Sequence, residues 1–314
     1  MKLIGKMAGS LLLWSLVAFV FTLIVLLPRE NTSHYDKEYN FITDTGIDWE
    51  TYKGNISNYW SSVAENKSLG MTKYEEPVEK EMVYYGWNSL KILVPAFILS
   101  VAAGISKGVF DYRHSSGKRR LLGRGLTSFG QSMPEFISII FLQTAIFELS
   151  RRFFPKFDIY GDENWYSTIL PTVFLAVYPV FVIARYTSEA LDEENRMDYI
   201  KTARSKGIGE KAVLWKHALL NCLPKLIHHS MPIVMTLLSG MFVVEYLSLY
   251  KGIGYRIIKA INIDAALLPG YDMSIDTVAV IGFSLLFMSV LLVYQWTMQI
   301  ISYFLLPVKG EEQL

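Results

Sequence analysis

The stretch DYIKTARSKGIGEKAVLWKHALLNCLP, Asp198 to Pro224, is the part of the chain whose reading decides the fold. It is basic, carries Gly207 and Gly209 near its middle, and lies between two long apolar blocks. A helix is expected over residues 195–206. Asp198 suits the positive end of its dipole, and Lys201, Arg204 and Lys206 suit the negative end. Gly207 supplies a stop, because glycine takes positive φ without steric penalty. A second helix over 210–222 then leads into the next block. Tyr199, Ile200 and Ala203 fall near i, i+3, i+4 spacing, which predicts a small apolar ridge edged by cations. Such a ridge fits a groove on a partner protein. It equally suits a helix lying on lipid headgroups, and the residues alone leave the two readings even.

The blocks on either side settle the class. Of the 314 residues, 52% are hydrophobic and the net charge is only +1. Six apolar blocks stand out, at 8–27, 90–110, 128–147, 168–184, 227–249 and 278–305. Each approaches the roughly 20 residues that cross a hydrocarbon core. Backbone groups in lipid must bond within their own segment, so blocks of this length read as helices. The prediction is an all-α integral membrane protein with six transmembrane helices. The first block is long for a signal-peptide core, lacks an A-x-A-like site, and runs into Pro28, Arg29 and Glu30, so an uncleaved span is expected.

Charge placement orients the spans. Lys2 and Lys6, the loop with Arg113, Arg119, Arg120 and Arg124, and the stretch with Lys201, Arg204, Lys206, Lys211 and Lys216 share one side. The first long loop, on the other side, ends in Glu75, Glu76, Glu79 and Glu81. The positive-inside rule then puts both termini in the cytoplasm. Residues 1–87 read as a first span plus a long extracytoplasmic loop, and 88–314 as a five-helix core. The loop is as compatible with a small folded cap as with disorder, and its N-x-[ST] matches at Asn31, Asn55 and Asn66 are of a length that arises by chance. In the last outer connection, Ile257, Ile258, Ala260 and Ile261 suit an amphipathic surface helix.

Few side chains invite chemistry. Glu135, within the third block, is a candidate for lining a translocation path, because an ionisable group at that depth is costly if lipid-facing. Glu245 is a second candidate, although near the outer end of the fifth block it can snorkel, and a structural role is the stronger reading. His228 and His229 project about 100° apart and make a poor metal pair. Cys222, the single cysteine, reads as apolar filler. Neither a G-x-x-x-x-G-K-[ST] loop nor H-E-x-x-H occurs, so ATP hydrolysis and zinc-protease chemistry are not expected of this chain.

DYIKTARSKGIG and the later HALLN resemble the cytoplasmic EAA loop of permease subunits in binding-protein-dependent ABC importers, most of all the dipeptide/oligopeptide (peptide/nickel) family. Asp198, Tyr199, Thr202, Ala203, Arg204, Lys206, Gly207, His217, Ala218, Leu219 and Asn221 fall in place. SMPEF at 132–136 resembles the family's Leu-Pro-Ser-Phe element. GMFVVEYLSLYKGIGYRIIKAINIDAALLPG at 240–270 is similar to its Glu…Gly-x-Gly…Asp segment, placing Glu245, Gly252, Gly254, Ala260, Ile261 and Asp264. The resemblance implies a type I ABC importer permease (MetI-like) fold. It also implies that Asp198, Tyr199, Ile200, Thr202, Ala203, Arg204, Lys206 and Gly207 couple to the ATPase. Two cytoplasmic ATPases would bind ATP and Mg, with no cofactor in this chain. A second permease and an extracytoplasmic binding protein would complete the assembly in the bacterial inner membrane. The rival readings are a membrane scaffold or sensor, and a proton-coupled carrier using Glu135.

Overall fold

The structure is a computed structural model that describes residues 2–28, 31–35, 41–45, 49–115, 117–153, 160–162, 164–261 and 275–305. Asp264 and the C-terminal tail lie outside the described residues. Among the described residues, five helices are long and apolar enough to cross a membrane, and a bent helix pair supplies a sixth candidate span. By its internal contacts the chain forms two compact units, residues 1–86 with 256–294 and residues 87–255 with 295–314.

In the first unit, α1 (Lys2–Val25) is an apolar helix whose only charges are Lys2 and Lys6. The segment that follows contains folded elements among its described residues. Strands β1 (Asn31–Tyr35) and β2 (Phe41–Thr45) pair antiparallel, with Asn31 opposite Thr45. Helix α2 (Trp49–Asn66) then clips onto the end of α1: Tyr52 donates to the Leu23 carbonyl at 3.0 Å and Asn55 to that of Leu26 at 3.3 Å. These bonds satisfy carbonyls that a helix end otherwise leaves open. Helix α3 begins at Val78, well before the apolar block at 90, and runs to Arg113. Its first turns carry Glu79 and Glu81, which suit a helix N-terminus. Glu81 and Asp276 both pair with the buried guanidinium of Arg256, at 2.7 and 2.8 Å.

In the second unit, the C-terminal half of α3 packs on α6 (Tyr166–Glu194) through Gly104 and Gly108. A Cβ at Gly104 would stand 2.6 Å from Ile183 Cβ, and one at Gly108 would stand 2.6 Å from the Ala184 carbonyl. Small residues four apart let helix backbones approach this closely. Beside that seam the Lys107 ammonium bonds the buried Asp111 carboxylate, the Gly123 carbonyl (3.1 Å) and Thr127 (2.9 Å). It thereby holds a π-helical turn, Leu121–Gly125, against α3.

The third expected span is not one helix. α4 (Leu126–Ser132) ends at Met133, whose ψ of 130° is extended, and α5 (Glu135–Phe153) departs at 105°. The cause is Pro134, which disfavours helical backbone at the residue before it. Its own carbonyl accepts the Ile137 and Ser138 N–H groups and so opens α5.

Candidate functional site

The connection between α6 and the fifth span folds largely as its local signals dictate. α7 spans Asp198–Ser205, shorter than residues 195–206 because Met197 is extended. It closes in a Schellman turn. Gly207, at φ 75°, donates to the Arg204 carbonyl at 2.9 Å, and Ile208 donates to that of Ala203 at 3.3 Å. The chain then re-enters helix as α8 (Glu210–Ala212), a π-helical stretch (Val213–Ala218) and α9 (Leu219–His228). The wider π turn explains the five-residue step from Val213 and Leu214 to Ala218 and Leu219, which all share the buried side.

One expectation is corrected here. Ile200 and Ala203 do not form an outward apolar ridge: they are 1% and 7% exposed. They pack on Val109, Leu191, Val213, Leu214 and Cys222. The second helix has an apolar face of its own, and the two faces cover each other. What α7 presents outward is polar: Asp198, Lys201, Thr202, Ser205, Lys206 and the bare backbone of Gly207. The Lys201 ammonium, 2.8 Å from Asp198, holds that carboxyl below its usual range.

Tyr199 and Arg204 turn their polar groups back into the chain. The Tyr199 hydroxyl donates to Glu194, and burial together with that carboxylate raises the phenol above its usual range. Arg204 grips both oxygens of Glu210, at 2.7 and 3.2 Å, and the side-chain amide oxygen of Asn195, Oδ1, at 2.6 Å. Behind it lies a cavity of about 140 Å³ lined by Tyr112, Arg113, Ile200 and Leu214. Cys222 is buried in the cluster beneath α7, and burial pushes its thiol up to about 12.

The two carboxylate candidates part company. Glu135 sits at the break, partly exposed at the first residue of α5. It accepts from Ser239 at 3.0 Å and lies so close to Gly240 that a Cβ there would collide. Glu245 is wholly buried and does not snorkel, in keeping with the structural role that was the stronger reading. Ser89 donates to one of its oxygens, while the N–H groups of Gly254 (2.7 Å) and Tyr255 (3.3 Å) donate to the other. Glu245 thus caps the start of α11 (Ile253–Ile261), whose N-terminus attracts negative charge. Gly252 and Gly254 are needed for this, since a Cβ at Gly252 would strike the carboxylate and one at Gly254 would stand 2.7 Å from Phe242 Cα.

The expected surface helix is therefore this capped α11, with Ile257 and Ala260 buried. Arg256, on the same helix, is 1% exposed and ion-paired within its own unit. The Gly104-x₃-Gly108 spacing was the overlooked sequence signal for the α3–α6 seam. His229 stacks on Tyr186 at 4.7 Å with a 9° tilt, and no cluster of metal-ligating side chains occurs among the described residues.

Residues 97–303 match the family described as binding-protein-dependent transport system inner membrane component. The chain is 31% identical over 177 residues to the dipeptide transport system permease protein DppB of Bacillus subtilis, which covers 55% of each chain. It is 29% identical over 206 residues to DppB of Lactococcus lactis, covering 65% of this chain and 64% of that one. Its match thus spans about half to two thirds of the length of these relatives. A chain from the MetNI methionine ABC transporter, solved in inward-facing conformations, superposes with a TM-score of 0.59 at 18% identity. That superposition covers 74% of this chain and 99% of the other. This likeness carries the fold, a type I importer permease (MetI-like) architecture. With two thirds of its length matched to one transport family and the fold to match, the chain belongs to the binding-protein-dependent transport system inner membrane components.

Proposed function

We propose that this chain is a transmembrane permease subunit of an ATP-driven importer for dipeptides or oligopeptides. It is a transport subunit, with ATP hydrolysed by separate cytoplasmic ATPases. A second permease encloses the path with it, and an extracytoplasmic binding protein delivers the solute. Both termini are cytoplasmic. Residues 1–87 are a first span with a long extracytoplasmic loop and residues 88–314 the five-helix permease core, a reading supported by a family match that begins at 97.

The observation that carries the reading is α7 itself. A short helix with a polar outward face, seated by Ile200 and Ala203 on the chain's own core, can transmit a rigid-body displacement into the spans that flank it. Asp198, Thr202, Lys206 and Gly207 form the face that docks on the ATPase. Glu135 lines the path at the α4–α5 break, where a carboxylate is half-open and bonded to a single hydroxyl.

Uptake of a radiolabelled dipeptide by cells lacking this gene tests the proposal. Accumulation is lost on deletion and restored by wild type but not by Lys206→Glu. Accumulation that survives deletion overturns the reading. Uptake that depends on this chain, persists when ATP hydrolysis is blocked and collapses with a protonophore replaces it with a proton-coupled carrier.

A further inference from the structure

We propose that Tyr199 and Arg204 are positioning residues, two braces that lock α7 to the elements on either side so that a push on α7 reaches both neighbouring spans together. The inference rests on the coupling reading and adds the device that makes it mechanical.

The braces use opposite ends of α7. At its start, the Tyr199 hydroxyl holds Glu194 in the last turn of α6. Lys225 of α9 binds the same carboxylate at 3.0 Å and Glu193 at 2.8 Å, so α6, α7 and α9 meet at one buried acid. At its end, Arg204 joins Asn195, just past α6, to Glu210, the first residue of α8. A helix of only eight residues has little stability of its own. Without the braces α7 would pivot between extended Met197 and the Gly207–Gly209 turn, and Ile200 and Ala203 would be its only hold. Glu194 is nearly buried, so its partners count for more than those of a surface pair.

The test uses the complete importer in proteoliposomes, with peptide uptake and ATP hydrolysis measured on the same preparation. Tyr199→Phe removes one hydroxyl, and Arg204→Lys keeps the charge but loses the two-pronged grip, so both variants fold. In these variants and in Arg204→Gln the ATPases stay bound and continue to hydrolyse ATP. Peptide taken up per ATP falls about five-fold in Arg204→Gln, the scale of losing one net hydrogen bond, and by less in Arg204→Lys. Exchanging the pair, Arg204→Glu with Glu210→Arg, recovers coupling. Loss of the ATPases from the single variants would make these residues docking contacts and overturn the proposal. Unchanged uptake per ATP would overturn it too. If wild type binds no ATPase, the coupling reading itself has failed, an outcome distinct from either.

Discussion

Gly104→Ala tests how tightly the C-terminal half of α3 is held against α6, the helix that runs into α7. The added methyl would stand 2.6 Å from Ile183 Cβ, 2.7 Å from its Cγ2 and 3.1 Å from the Val180 carbonyl. Carbon atoms in contact prefer about 3.5–4.0 Å, so the seam must open by roughly 1 Å or Ile183 must leave its rotamer. Neither is free, because two of the three obstructing atoms belong to a β-branched side chain and the third is backbone. Overpacking of this kind costs about 1–3 kcal/mol. Leucine at the same position should prevent the seam from forming. Gly54→Ala in α2 is the control: nothing lies within 4 Å of its Cβ. There alanine should be neutral or add up to about 1 kcal/mol through helix propensity. The assay is the heat-induced loss of the monodisperse peak of detergent-purified protein. Gly104→Ala should melt clearly below wild type and Gly54→Ala at or above it. A Gly104→Ala protein that melts with wild type would refute the close approach of α3 and α6.

Other perturbations read other parts of the fold. Arg256→Met leaves Glu81 and Asp276 buried without their cation and should cost about 3–5 kcal/mol in the same melt, whereas Glu81→Gln, which keeps the shape and one ion pair, should cost less. Gly207→Val forces a branched residue to φ 75° and should cost about 1–2 kcal/mol, exposing the turn to limited proteolysis; Gly207→Asn should be tolerated. With its thiol raised to about 12, Cys222 should resist maleimide at neutral pH until the protein is unfolded. The sign follows from linkage: the neutral thiol's contribution is full below the unfolded value near 8.5 and is lost as pH rises towards 12, so folding should weaken on the alkaline side only.

Local signals in the sequence were legible where local physics decides the outcome. Gly207 ends α7 because positive φ is a property of one residue, and Asp198 opens it for an equally local reason. The inward turn of Ile200 and Ala203 was not legible. A helical period reveals an apolar face but not what covers it, and the cover comes from residues 213–222 across a turn. The partners of Glu245 were not legible for the same reason, since they are Ser89, 156 residues earlier, and the amides that follow Gly252. Arg256 has a partner 175 residues away, beyond any window. The α4–α5 break is a different kind of miss: Pro134 was visible, but apolar block length counts residues and is blind to the direction of the chain. The expectation of apolar spans survived these errors because hydrophobic length marks a crossing independently of how each helix is bent or paired; among the described residues five helices and one bent pair meet it.

The most direct test of the central claim is co-purification of a cytoplasmic ATPase with the tagged chain from detergent extracts. Wild type should be compared with Thr202→Glu and Lys206→Glu on the outward face of α7, and with Lys53→Glu on the exposed side of α2, in the other unit, as a charge control. Wild type and the control should retain the ATPase, and the two α7 variants should lose it while still holding the second permease. An ATPase absent from wild type, or held equally by all four proteins, would contradict the account.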